Sequence, residues 1–216
     1  MIDLRYQDSE GGAAPYETRI LVTDRYLRMD DGHDGGDFVL FDRKTGKVLN
    51  VLHERKMFMA MHDEKLPGEP AHTYRVERKL TPVRSGTVRV QVLADGRLCS
   101  ETVAVAKLFP DAARAMAEYK AALAYTQWAT YRNTPVELRQ DCDLVHHVWQ
   151  TGMSYSAGLP IEERDYAGRV RQYVSGEKRP LRPELFRLPE GYELFELPEV
   201  DEGKGSSSQP PAVQAR

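Results

Sequence analysis

Apolar and polar residues alternate with a period of two through the first half of the chain. Ile2, Leu4 and Tyr6 alternate with Asp3 and Arg5, the pattern of a half-buried strand. "YETRILVT" places Tyr16, Thr18, Ile20 and Val22 on one side, and "RYLRMDDGHDGGDFVLF" reads as strand, glycine-rich turn, strand. Turns are predicted at Lys44–Gly46 and near Glu54–Arg55, and residues 63–72 form a polar Pro/Gly loop. Val88, Val90 and Val92 alternate with Arg89 and Gln91, and Asp95-Gly96 is a strong hairpin signal. Strands joined by such short links form an antiparallel meander.

The period changes after Ala106. Pro110-Asp111 opens an alanine-rich helix in which Met116, Tyr119, Leu123, Gln127 and Tyr131 fall near one face, and Asn133 ends it. Thr134-Pro135 is expected to cap and start a second helix, with Leu138, Cys142, Val145 and Trp149 in one stripe and Gly152 as its stop. "GLPIEERDY" and "RVRQYVS" follow as two strands joined through Ala167-Gly168, and "RPELFRLPEGYELFEL" as a short helical turn, a corner and a last strand. Residues 198–216 are polar and rich in Pro and Ser, and are expected to be a disordered, dispensable tail outside a single domain of residues 1–197.

This order gives an α+β fold: a curved antiparallel sheet with two helices inserted late in the chain and packed on one face. The central hairpin raises a question. Met57, Met59 and Met61 share one face of a strand and Phe58 and Ala60 the other; Val48 and Leu52 in the partner strand oppose Leu49 and Val51. A sheet apolar on both sides needs a second cover: a cavity, a second copy in a homodimer, or a ligand.

The formal net charge of -3 gives no reason to expect nucleic acid or anionic membrane as a partner, and no run of ~18 apolar residues is present to form a transmembrane helix. The N-terminus has neither a basic region nor an apolar run typical of a secretory leader. A strand that begins at the second residue suggests a mature, periplasmic domain whose signal peptide is absent from this chain, with a complete cytoplasmic protein as the alternative.

"LRQDCDLVHH", residues 138–147, concentrates the candidate chemistry. Cys142 and His146 are four apart on a helix and face one way, and Asp143 and His147 make a second such pair on a face turned by roughly 100°. Zinc needs three or four ligands, and neither C-x-x-C nor H-E-x-x-H is present. A nucleophilic Cys142 would need a lowered pKa, which the flanking Asp141 and Asp143 oppose. Two cysteines in a chain that looks exported more often pair, so a Cys99–Cys142 disulfide is expected. Met57, Met59 and Met61 with His62 could hold a soft ion such as Cu(I), against the plainer reading of methionine as adaptable packing. "DDGHDGGD", residues 30–37, has Gly32 where a calcium loop needs its second acid, and reads as a turn. No catalytic fingerprint or cofactor motif is found.

The meander, "GRLCSETVAVAKLF", "QDCDLVHHVW", "GLPIEERDYAGRVR" and above all "LFRLPEGY" (Leu185 to Tyr192) together resemble an uncharacterised bacterial group related in fold to the LolA/LolB-like periplasmic lipoprotein carriers. The resemblance covers about residues 2–197 and implies a half-barrel whose concave side is filled by helices and accepts acyl chains. The chain departs from the carriers in having no lipobox cysteine. The expected function is a non-catalytic binding module for an acyl chain or other apolar ligand in the cell envelope; the alternative is an interaction or assembly protein, with an enzyme third. The expected ligand groove is one continuous apolar surface of Val48, Leu52, Met57, Met59 and Met61, closed by Met116, Leu123 and Trp128.

Overall fold

The computed structural model describes residues 1–61, 64–66 and 75–196. The tail expected at 198–216, His62 and most of the loop expected at 63–72 lie outside the described residues. A meander runs through β1 (Ile2–Ser9), β2 (Tyr16–Val22), β3 (Tyr26–Asp30), β4 (Phe38–Asp42), β5 (Lys47–Leu52) and β6 (Met57–Ala60). A second series, β7 (Val76–Arg84), β8 (Thr87–Ala94) and β9 (Arg97–Val105), leads into the helices. β10 (Leu159–Asp165), β11 (Val170–Lys178) and β12 (Glu193–Leu194) come after them. All twelve join one open sheet in the order β12-β6-β5-β4-β3-β2-β1-β11-β10-β9-β8-β7, antiparallel except for β12 beside β6.

The first strand is therefore central. β1 pairs with β2 on one side and with β11 on the other, so the return of the chain after the helices unites the two halves. The predicted hairpins are present, and Asp95 and Gly96 both take positive φ, the requirement of the tight turn between β8 and β9.

Helix α1 (Pro110–Ala122) begins at proline as expected, but the long helix breaks at Leu123 and continues as α2 (Ala124–Asn133). Ala112, Ala113 and Ala115 are buried on α1, and their small side chains let the helix lie close on the sheet. They pack with Met116 against Leu4, Tyr6, Ile20, Leu27 and Val48. The second helix starts later than expected. Thr134-Pro135 leads only into a single turn at Val136–Leu138, and Leu138 is 64% exposed. The helix proper, α3 (Asp141–Leu144), is capped reciprocally by Gln140 and Asp143, and widens into a π turn over Val145–Trp149. A turn at Met153–Ala157 follows and ends at Gly158. That glycine has φ 130°, and a β-carbon there would meet the Val105 carbonyl oxygen at 2.3 Å, so the return into β10 requires glycine.

The face of the sheet away from the helices has its own cover. Leu185 and Phe186, in a turn at Pro183–Phe186, pack on Leu21, Phe38, Leu40 and Val51, with Phe58, Leu188 and Tyr192 beside them. The cover sought for the second apolar face is thus largely the chain itself. Beneath it lies a buried charge network: Asp30 accepts hydrogen bonds from Arg19 Nε (2.7 Å) and Arg28 Nε (2.6 Å), and Arg28 Nη1 donates to the Leu185 carbonyl (2.9 Å). The Arg28 guanidinium also stacks on Phe38, 3.9 Å from the ring centre.

Candidate functional site

The helix-side face of the sheet changes character along β1. Leu4 and Tyr6 are apolar core; two residues on, Asp8 occupies the same face and is 1% exposed. The ladder places Asp8 opposite Arg171, Arg171 opposite Glu163 and Glu163 opposite Thr102. Directly paired residues share a face, so one polar row crosses β1, β11, β10 and β9 under the helices. Arg171 donates to Asp8 through Nε and Nη2, both at 2.8 Å, and Thr18 Oγ1 donates to Asp8 Oδ2 at 2.6 Å. Burial alone would raise the Asp8 carboxyl, but the Arg171 hydrogen bonds and charge, with Thr18, outweigh it and hold the pKa below the ordinary aspartate value.

The helix layer closes over this row. Tyr155 OH donates to Glu163 Oε2 at 3.2 Å, and burial followed by the Glu163 charge keeps this phenol protonated. Lys120, in the last turn of α1, lies 5.6 Å from the Tyr155 ring centre and makes neither a hydrogen bond nor an ion pair among the described residues. Its ammonium is pushed below the ordinary lysine range first by burial; Arg171 and Arg169 add to this and Glu163 opposes it.

His146 and His147 come from the π turn, with ring centres 4.6 Å apart. Burial, then Lys120, holds both below the ordinary histidine value, so both are neutral at pH 7. Turns of this kind recur at functional sites. The π turn is fixed to the sheet from its α3 end. The expected Cys99–Cys142 disulfide is formed, with Cα atoms 5.1 Å apart, and Tyr166 OH hydrogen-bonds Asp143 Oδ1. A bulge in the β8–β9 ladder at Cys99 lets Cys99 and Ser100, though adjacent, both be buried.

Between sheet and helices lies a cavity of about 420 Å³, bounded on the sheet by Asp8, Thr18, Met29, Arg169 and Arg171 and above by Tyr119, Lys120, Leu123, Gln127 and His147. Tyr16, Glu17, Asp30, Asp31 and Thr151 also border it. A smaller chamber of about 50 Å³, lined by Ser100, Thr102, His146, Glu163 and Asp165, adjoins it. Lys120, His147, Arg169 and Arg171 line both spaces and form the partition between them.

The expected groove is not one surface. Val48 and Met116 are 3% and 2% exposed and belong to the core under α1, where Met61 also packs. Trp128 belongs to a different cluster, with the disulfide. Leu52, Met57 and Met59 are half-buried near the β5–β6 end of the sheet, and Asn50, between Val48 and Leu52 on the same face and opposite Met59, interrupts the stripe. Of the eight groove residues only Leu123 borders the large cavity. Cys142 is bonded to Cys99 and so is neither thiolate ligand nor nucleophile, and no group of three or more His, Cys, Asp or Glu that could hold a metal ion is found among the described residues. Residues 30–37 include a turn in which Asp31 accepts from the His33 backbone N–H at 3.0 Å.

Asp8, Lys120, Tyr155, Glu163 and Arg169 escape sequence reading because only long-range strand pairing brings them together, and Arg171 because β11 inverts the usual pattern. Its valines face outward, Val174 being 60% exposed, while Arg171 points inward. The available signal was the break in alternation from Tyr6 to Asp8 in β1, which marks a polar position on a face otherwise apolar.

No family model matches the chain, and no curated protein matches it. Solved structures of PNGF-II are similar to it at 9% identity and a TM-score of 0.43 in the C2 space group, and at 10% and 0.35 in P21. Each match covers 91% of this chain but only 30% and 31% of the other, so the chain spans about a third of those proteins. Likeness at this level carries no argument about the present chain. Among the described residues no helix is long and apolar enough to cross a membrane.

Proposed function

We propose that the protein is a non-catalytic binding module of the cell envelope, a curved half-barrel of the lipoprotein-carrier kind whose ligand lies between the sheet and its helices. The observation that carries this reading is the 420 Å³ cavity, whose size falls in the range of small-molecule sites. Its walls are of two kinds. Met29, Tyr119 and Leu123 offer apolar surface, while the charged wall sets Lys120, Arg169 and Arg171 against Asp8, Glu17, Asp30 and Asp31, of which Asp8 pairs with Arg171, Glu17 with Arg5 and Asp30 with Arg19. That division suits a ligand with an apolar body and a polar end, such as a short acyl chain, better than a purely apolar one. Asp8 and Arg171 satisfy each other, which favours holding a ligand over transferring a proton. A buried disulfide fits an oxidising compartment such as the periplasm.

The assembly reading has less to rest on. Residues 183–194 cover the second apolar face, leaving the β7 edge, where Leu80 and Val83 are exposed, as the place for another chain.

The test is direct. Native mass spectrometry of the protein purified from its own cells should show a small bound molecule on a monomer. Leu123→Trp, which fills the cavity from its apolar wall, should abolish that added mass and the binding of a fluorescent fatty acid. A wild-type protein that carries no mass and takes up no probe would end the ligand reading.

A further inference from the structure

The partition between the two chambers has a distinctive charge pattern. Arg171 is neutralised by Asp8, and Arg169 reaches Glu10 through two hydrogen bonds to the same carboxylate oxygen. Lys120 stands between these compensated cations, 5.6 Å from the Tyr155 ring centre and with no hydrogen bond or ion pair among the described residues. Glu163, the carboxylate that most favours its charged form, accepts from the Tyr155 hydroxyl and makes no ion pair with Lys120. A half-buried ammonium whose N–H donors find no acceptor in the fold is placed to donate to a ligand. His146 and His147, neutral at pH 7, add no anion.

We infer that Lys120 is the seat for the anionic end of the ligand, a carboxylate or phosphate group, with Arg169 and Arg171 flanking it and the apolar body of the ligand directed toward Leu123 and Met29. This rests on the binding-module reading and names the ligand class: an amphiphilic acid rather than a neutral lipid. The geometry gives the anion a defined place. It would enter from the large cavity, meet Lys120 at the partition, and have the smaller chamber behind it. The ligand would supply the hydrogen-bond acceptor that Lys120 lacks among the described residues. His147, on the same partition, is free to donate one ring N–H to the anion while neutral.

The experiment compares decanoate, monodecyl phosphate, decanol and inorganic phosphate by calorimetric titration into the full-length wild type, Lys120→Met and Lys120→Arg. Decanoate or the decyl phosphate should bind at least about tenfold more tightly than decanol, since a hydrogen bond to a charged partner is worth that much. The preference should vanish in Lys120→Met and largely return in Lys120→Arg, and whichever acid binds better identifies the headgroup. Lys120→Met should melt close to the wild type, because it removes a half-buried ammonium that makes no hydrogen bond or ion pair among the described residues. Equal binding of decanol and the acids would overturn the anion seat while leaving the binding module intact. Binding of inorganic phosphate alone, lost in Lys120→Met, would keep the seat and overturn the apolar-body reading. No binding of any probe, or a melting temperature of Lys120→Met several degrees below wild type, would overturn the seat, the latter by showing Lys120 to be structural.

Discussion

Arg171 and Asp8 stand directly opposite each other in the β1–β11 ladder, 163 residues apart in sequence, and Arg171 donates two hydrogen bonds of 2.8 Å to Asp8 under the helix layer. The pair joins the first strand to the strand that follows the helices, so it couples the two halves of the sheet as well as forming the cavity floor. Asp8→Ala should therefore leave a buried guanidinium without its counter-ion and destabilise the fold by about 3 kcal/mol or more, the range seen when one partner of a buried pair is removed. Asp8→Ala combined with Arg171→Met should recover most of the loss in urea unfolding. If the double variant is no more stable than the single, the penalty does not come from the stranded charge.

The Cys99–Cys142 bond closes a loop with a sequence separation of 43. The chain-entropy model rates such a cross-link at about 4 kcal/mol. Replacing both cysteines with alanine should lower stability by several kcal/mol and loosen the π turn that carries His146 and His147. Hydrogen exchange over residues 141–149 should accelerate more than over α1. Thiol labelling of the unfolded, unreduced wild type should modify neither sulfur; labelling of both would refute the pairing.

Stability should fall as the pH is lowered from neutrality. Burial, then Lys120 and His147, depresses the His146 pKa in the folded state below the ordinary value of 6.5, whereas the unfolded chain takes up a proton near that value. The contribution of neutral His146 is complete above about pH 6.5 and is lost as pH falls toward the folded value, with a slope of up to about 1.4 kcal/mol per pH unit. His147 shifts the same way. His146→Leu should flatten the stability profile just below pH 6.5. Asp8 also loses its contribution as pH falls, but only around and below its ordinary 3.8, so the two effects separate. An unchanged slope in His146→Leu would rule out the histidine as the source.

Phe186 is 4% exposed, stacks near Tyr26 and seals the face of the sheet away from the helices. Phe186→Ala should cost about 3–5 kcal/mol and increase binding of a dye that reports exposed apolar surface. By contrast Met59→Asp, at a half-buried position opposite Asn50, should cost far less than Val48→Asp, although both lie on the same face. Similar losses at Met59 and Val48 would show the methionine stripe to be fully packed core.

What the sequence determined by itself is local. Period-two alternation and turn chemistry at Asp95-Gly96 and Ala167-Gly168 set the strands and hairpins, because each depends on a few neighbouring residues. Proline at 110 set the start of α1, and the two cysteines, with an expected oxidising compartment, indicated their pairing. The late start of α3 was missed because the Gln140–Asp143 cap competes with Thr134-Pro135 and only packing around Cys142 decides between them. Tertiary structure alone decided that β1 is central, since β11 reaches it across more than a hundred residues. It also decided which side of each strand is inside. An apolar/polar alternation gives a period, not a direction, and in β11 the inward side carries arginine because Asp8 waits opposite it. The cover over the second face and the cavity beside Lys120 are likewise products of long-range pairing. The first stands where the apolar pattern left a cavity, a second copy or a ligand open; the second gathers charges from strands and helices that no spacing in the sequence relates.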